Sequence, residues 1–337
     1  MNFKGCSRSA IEVLSGHMAL KWQRRPGGVY CFNYHRIGSA ADSEFDPNVY
    51  SCTPERFEQH LRMYQTNFDV ISIDELISLH NSQQRVSERL ALLTFDDGYI
   101  DNYQLAYPML KSAGLTAVFF VSTDYIDKPQ IPWWDEVGWI VRHSGNASVK
   151  LAHWPSAINI VDGAIGMRVR RLLKAVKQDN SLPMEEKLKQ VKVALQLDHI
   201  GMPEPTELLV NWQQLKEMAD NGMHIGSHTL SHNILAHLTP EQQLVELTQS
   251  KQRLETMLHR EILSVAYPVG GSDTFTRNTL NVAQQAGYKL AFTFIPGINA
   301  KLGFDNRYSL CRFSIDENAS VWQLKQMVNK SFSFMSN

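Results

Sequence analysis

At 337 residues the chain has room for one large domain or two, and with 43% hydrophobic and 20% charged residues it can build a sizeable core, which excludes a disordered or fibrous protein. Its 33 Lys and Arg nearly balance 34 Asp and Glu, for a formal charge of -1, so no global field draws in a nucleic acid or an anionic membrane. The cysteines Cys6, Cys31, Cys52 and Cys311 form no CxxC pair and read as reduced thiols.

The first 28 residues carry scattered charge and no uninterrupted apolar stretch of the length a signal peptide or membrane span needs, which predicts a cytoplasmic protein. Ile11 to Leu20 reads as an amphipathic surface helix. From there apolar runs and helix-period stretches alternate. Val29 to His35 reads as a strand, Pro54 to Gln65 as a helix capped by Thr53, Asp69 to Ile73 as a short strand and Asp74 to His80 as a helix. Arg89 to Phe95 is a strong strand, Asn102 to Ala113 a helix ended by Gly114, and Leu115 to Ser122 a continuous apolar run of the kind buried in parallel sheets.

The rhythm breaks between Asp127 and Thr206, where a Trp133, Trp134, Asp135 cluster precedes a basic helical stretch from Gly166 to Leu195. This segment reads as an insertion within a single domain. The alternation resumes with a helix from Trp212 to Asn221, a strand from Met223 to Ser227 and a helix from Pro240 to Leu258. A strand from Leu263 to Tyr267, a helix from Thr274 to Ala286 and a strand from Tyr288 to Phe294 follow. Tyr308 to Ile315 and a helix from Val321 to Lys330 end the pattern. Strands alternating with helices of this length imply an α/β fold with a parallel sheet, open or closed into a barrel.

Two stretches carry chemistry. In LLTFDDGY, Leu92 to Tyr99, adjacent carboxylates stand at the C-terminal end of an apolar strand. A continuing strand would send Asp96 and Asp97 to opposite faces, but Gly98 lets the chain turn so that both address one cavity above the strand ends. An Asp-Gly pair alone would be an ordinary turn; the second carboxylate has no turn role. In GMHIGSHTLSHNIL, Gly222 to Leu235, His228 and His232 are four apart, which places two imidazoles on one side of a single helical turn, within reach of one ion. With a carboxylate they make three ligands and leave a coordination position open.

TFDDG at Thr94 to Gly98 and HTLSH at His228 to His232, in that order and about 130 residues apart, resemble the first two motifs of the polysaccharide deacetylase family, also called carbohydrate esterase family four or NodB-like. AYPVGG, Ala266 to Gly271, resembles the third motif, and AGYKLAFTF the strand that follows it. The resemblance implies a distorted (β/α) barrel of about seven parallel strands. It also implies Asp97, His228 and His232 as ligands of a divalent metal, Asp96 as general base and the Val269 main-chain N–H as oxyanion donor. Zinc is the default for two histidines and an aspartate, with cobalt or nickel also compatible.

Two departures stand out. Many family members carry an arginine at the position of Ala266, where it orients the base; here Arg312 in LCRFSI is the candidate substitute. The C-terminal LxH motif that supplies the general acid is absent, since Val321 to Asn337 holds no histidine. His35 in CFNYHRIG takes that role in our reading, because YHRI resembles the N-terminal motif of circularly permuted deacetylases; the alternative is a histidine hydrogen-bonded to backbone.

Trp133, Trp134 and Tyr267, with Asp135, are candidate substrate contacts, the tryptophans either stacking on a sugar or packing the insertion onto the barrel. Arg168, Arg170, Arg171, Lys174 and Lys177 read as a solvated helix face or as a contact for an anionic substrate such as a nucleotide- or lipid-diphosphate sugar. The expected reaction is metal-dependent removal of N-acetyl groups from an N-acetylhexosamine polysaccharide or its lipid- or nucleotide-linked precursor. A hydrolase of a small amide or formamide, and a catalytically silent carbohydrate binder, are the alternatives.

Overall fold

A computed structural model of the chain describes residues 19–333, apart from 84, 129, 202–207, 304–305 and 317. The amphipathic segment expected at Ile11 to Leu20 lies, but for its last two residues, outside the described residues. Eight strands form one sheet: β1 (Gly28–Tyr34), β2 (Asp69–Val70), β3 (Arg89–Phe95), β4 (Val118–Val121), β5 (His224–Ser227), β6 (Ser264–Ala266), β7 (Leu290–Phe292) and β8 (Phe313–Ser314). Every pairing is parallel, and β1 and β3 run together from Gly28 opposite Arg89 to Tyr34 opposite Phe95.

The spatial order is β7-β6-β5-β4-β3-β1-β8, with the two-residue β2 joined to the start of β3. Leu310 bridges to Phe292 of β7 while β8 pairs with β1, so the last segment closes the curl into a distorted (β/α) barrel. The continuous apolar runs suit this architecture because both faces of the sheet are covered. Tyr30, Phe32, Leu93, Phe95 and Phe119 pack outward under the helices. Their alternates Val29, Cys31, Leu90, Leu92 and Phe120 fill the barrel. Continuing the inward period of two, Asn33, Thr94 and Asp96 form a polar layer at the C-terminal end of that apolar column, all buried.

The helices begin where side chains take up free backbone N–H groups. Thr53 caps α1 (Pro54–Asn67), and Ser72 with Glu75 forms a capping box on α2 (Ile73–Ser82). That box draws Ile73 into the helix, so the preceding strand stops at Val70. A π-helical turn, Asn102–Ala106, leads into α3 (Tyr107–Ser112) where one continuous α-helix was expected; Pro108 has no N–H to give the carbonyl four residues back, and the turn widens there.

Three helices follow between β4 and β5: α4 (Trp133–His143), α5 (Ile165–Gln178) and α6 (Met184–Ala194). The single helical run expected from Gly166 to Leu195 is broken between α5 and α6. Pro183 precludes a helical residue before it, and the Asp179 carboxylate accepts from the Ser181 N–H and hydroxyl. Residues 133–197 build an apolar core of their own around Trp139, Val169, Leu172, Val176, Leu188 and Val191. Beyond it come α7 (Trp212–Asp220), α8 (Pro240–Leu258), α9 (Arg277–Gln285) and α10 (Val321–Ser333). Cys31, Cys52 and Cys311 are free thiols. Among the described residues no helix is long and apolar enough to cross a membrane.

Candidate active site

Asp96 extends β3, its N–H donating to the Tyr34 carbonyl at 2.9 Å, so its side chain joins the inward polar layer. The chain turns one residue earlier than expected: Asp97 itself has φ +75°, followed by Gly98 at +77°. A Cβ on Gly98 would come within 2.8 Å of Val121 Cγ1, so only glycine fits the second position. The turn aims both carboxylates into one site.

His228 and His232 arrive from the end of β5 on a loop, not on the helical turn expected from their spacing. Thr229 and His232 adopt left-handed φ of +67° and +58°, and the Thr229 and Leu230 carbonyls accept from the N–H groups of Thr123 and Asp124. The Glu246 carboxylate on α8 receives the N–H groups of Leu230 and Ser231, both at 3.0 Å. Glu246 thereby ties down the bend between the histidines, and no sequence signal singled it out. Non-glycine residues held at positive φ store strain that the surroundings must over-determine.

The result is a compact donor set. Asp97 Oδ1 lies 3.5 Å from His228 Nε2 and 3.4 Å from His232 Nε2, and the three atoms are within 4.8 Å of one another. Ligands about 2.0–2.2 Å from one tetrahedral ion stand about 3.4 Å apart, so the spacing fits a divalent metal. Asp97 Oδ1 is buried with no hydrogen-bond partner, which a shared cation would satisfy. His228 Nδ1 is 2.8 Å from the Ala266 carbonyl, so its proton sits there and Nε2 presents a lone pair. Burial would push Asp97 up, but the facing imidazoles outweigh it and hold the carboxyl well below its usual range. Burial pushes His232 down to about 4, which keeps it neutral; His228, equally buried, is raised because it faces Asp96 as well as Asp97.

Asp96 has the opposite surroundings. Arg312, wholly buried, grips it with two bonds, Nη1 to Oδ1 at 2.7 Å and Nη2 to Oδ2 at 2.8 Å. Asn33 Nδ2 donates to the same carboxylate at 3.0 Å, while its Oδ1 accepts from Arg312 Nη1 and the Thr94 hydroxyl. Arg312 Nε donates to the Thr293 carbonyl. Burial tends to raise Asp96, and Arg312 overcomes it, leaving the carboxyl below its ordinary value. Asn33 was not anticipated, although a lone amide at the end of the apolar run VYCFNY is a legible signal.

His35, just past β1, is half-buried. Its N–H donates to Ser51 Oγ and its carbonyl accepts from Asn102, while the ring lies edge-on to Phe294 at 5.7 Å and faces both carboxylates electrostatically. Val269 has φ +62°, a strained conformation for a β-branched residue, and its N–H goes to no backbone acceptor among the described residues.

Of the four candidate substrate side chains, the two tryptophans take the packing alternative, and Tyr267 and Asp135 are buried. Tyr267 is buried in the main core, its hydroxyl donating to the Tyr308 carbonyl at 3.0 Å, so its ring points away from the site. Trp134 packs over His232 with ring centroids 4.1 Å apart and donates to the Tyr99 hydroxyl. Trp133 donates to the His232 carbonyl and leaves only 5% of its surface open. Asp135 is sealed, accepting from the Tyr99 hydroxyl at 2.8 Å and the Asp46 N–H at 3.3 Å. These residues pack the helices of residues 133–194 onto the loop that carries His228 and His232.

The sequence model of polysaccharide deacetylases matches residues 83–161 and 168–291. The chain belongs to the polysaccharide deacetylase family. The matched stretches contain Asp96, Asp97, His228, His232 and Val269 but neither His35 nor Arg312. The chain is 26% identical over 274 residues to YxkH of Bacillus subtilis (strain 168), an alignment covering 81% of this chain and 67% of that protein. Among solved structures it resembles the Streptococcus pyogenes deacetylase PplD in complex with acetate, with a TM-score of 0.56, 22% identity, and 90% of this chain and 99% of that one covered. It also resembles IcaB from Ammonifex degensii, with a TM-score of 0.57, 17% identity, and 90% and 98% covered. At these identities the structures share the fold.

Proposed function

We propose that the protein removes N-acetyl groups from an N-acetylhexosamine-containing polysaccharide or its lipid- or nucleotide-linked precursor, and that residues 127–206 are a helical insertion within its single deacetylase domain. The observation that carries this reading is the contrast at the strand ends: a charge-paired carboxylate, Asp96, beside a partnerless one, Asp97 Oδ1, that faces two imidazoles.

Asp97, His228 and His232 would hold a divalent cation, zinc by donor type, which when bound would acidify water and polarise the acetamide carbonyl. Asp96, ionised under the influence of Arg312, accepts the proton of the attacking water. Arg312 and Asn33 fix the direction of that carboxylate, so the arginine expected at Ala266 is supplied from the end of the barrel. The Val269 N–H donates to the oxyanion as the carbonyl becomes tetrahedral. His35, half-buried and near both carboxylates, gives a proton to the departing amine. Acetate and a free amino sugar result.

Acetate release from N-acetylglucosamine oligomers and from lipid- and nucleotide-linked N-acetylhexosamines tests the proposal, with chelated protein as control and zinc, cobalt or nickel restored. Release that requires metal supports it. Absence of release from every substrate by protein with confirmed bound metal would overturn it.

A further inference from the structure

The five basic residues of α5 divide into two sets. Arg168 donates through Nε to the Ile160 carbonyl at 2.6 Å, and Arg171 donates to the carbonyls of Asn159 and Asp162, so these two fasten the insertion to itself. Arg170, Lys174 and Lys177, spaced four and three apart, share one stripe of the helix next to the face that buries Val169, Leu172, Leu173 and Val176. That stripe forms one wall of a cavity of about 450 Å3, within the size range of small-molecule sites. The opposite wall includes Val269, His237 and Asp273.

Three features give this cavity a chemical preference. It reaches the proposed catalytic centre, because Val269 lines it and the Lys177 ammonium lies close enough to Asp97 to feel its charge. Its cations outnumber its single carboxylate, the exposed Asp273. Among the described residues neither Lys174 nor Lys177 has a carboxylate within 4 Å, whereas Lys187 and Lys192 of α6 are engaged by carbonyls and by Glu136 respectively. Half-buried Lys177 passes over the Trp133 ring at 5.8 Å, which directs its ammonium toward the metal-ligand side. Like charges at this spacing repel one another, so the stripe does nothing for the stability of α5 itself.

Resting on the deacetylase reading, we infer that the cavity between α5 and the loop around Val269 is a subsite for an anionic group of the glycan, a carboxylate or phosphate carried next to the acetylated sugar and held by Lys174 and Lys177. The subsite makes an acidic glycan the preferred substrate class.

The test is equilibrium binding by the metal-stripped full chain, in which no turnover occurs, of three N-acetylglucosamine tetrasaccharides: unmodified, oxidised to a uronate at the neighbouring sugar, and phosphorylated at the reducing end. At low salt at least one charged tetrasaccharide should bind about tenfold tighter than the neutral one, and the advantage should shrink at high ionic strength. Lys174→Gln with Lys177→Met should bring the ratio to within about twofold, and Lys174→Glu, at an exposed position that leaves the fold intact, should turn it against the charged glycan. Tighter binding of only the uronate or only the phosphate assigns the anion. Equal affinities in the wild type, a preference that survives the double substitution, or no binding of any tetrasaccharide overturns the subsite. Acetate release from the neutral tetrasaccharide by the zinc-restored protein reports separately on the deacetylase reading, so either idea can fall alone.

Discussion

Asp96 and Asp97 are neighbours in the chain, both at most 5% exposed, and yet their surroundings are opposite in kind. On the β1–β8 side of the rim, Arg312 and Asn33 satisfy Asp96 with three bonds and a full counter-charge. On the β5 side, Asp97 faces two imidazoles at 3.4 and 3.5 Å across a gap that no protein group fills. One carboxylate is complete within the protein, and the other keeps an oxygen without a hydrogen bond. A buried polar atom left in that state is rare in a fold, and the proposed metal site rests on it.

The largest effect should come from Asp97. Asp97→Asn should abolish metal-dependent acetate release and lower bound metal to background, while the metal-free variant gains no stability over metal-free wild type, because the facing imidazoles already favour the ionised carboxyl. Metal analysis and thermal melts with and without chelator check both halves; a variant that still binds metal stoichiometrically would break the comparison. Asp96→Asn should do the reverse. It retains metal but loses about 3–5 kcal/mol of stability, since Arg312 is left buried without its counter-charge, and turnover falls by about 10^3-fold. Denaturant titration and metal content on the same sample separate this outcome from simple unfolding.

Much of this contrast was legible beforehand, for reasons that differ by residue. The DD pair, the two histidines and the parallel sheet follow from short-range patterns: an apolar strand that stops at charge, a glycine where the chain turns, a repeated strand and helix length; the closing of that sheet into a barrel was implied by the family resemblance alone. Arg312 was reachable because a missing partner for Asp96 had to come from some strand end. The loop geometry of His228 and His232 was not, because a four-residue spacing has the same sequence signature on a helix as on a bend held by Glu246 from a distant helix. For a related reason Trp133 and Trp134 stayed open between sugar contacts and packing, with Asp135 a candidate contact beside them. Aromatic rings that stack on a ligand and rings that seal an insertion are alike in composition, and only burial separates them. The division of the α5 arginines and lysines into fasteners and cavity wall likewise depends on which carbonyls lie nearby in space.

A smaller effect tests whether the Asp96 side also delivers the proton to the leaving group. His35→Ala should lower kcat by about 100-fold with metal content and melting temperature near wild type, because the ring is half-buried and its backbone, not its imidazole, carries the bonds to Ser51 and Asn102. A variant within a few-fold of wild type at all pH values would reduce His35 to a structural residue.

Asp135 gives a further test, as a third buried carboxylate placed between the two extremes. It has hydrogen bonds from Tyr99 and the Asp46 N–H, and feels Arg36, but it has no direct ion pair; burial therefore dominates and pushes it up to about 7. The sign follows from counting protons. Between the unfolded value near 4 and the folded value near 7, the folded chain holds a proton that the unfolded chain has released, so this group's contribution to stability is full below about pH 4 and is lost as pH rises through about 7. Asp135→Asn keeps an acceptor for the Tyr99 hydroxyl and removes the ionisation. The variant should be more stable than wild type by about 4 kcal/mol at pH 8 and indistinguishable from it near pH 4, as read from melting curves across that range. A difference that does not change with pH would mean that Arg36 compensates the charge fully, and would place Asp135 beside Asp96 as a carboxylate the protein completes by itself.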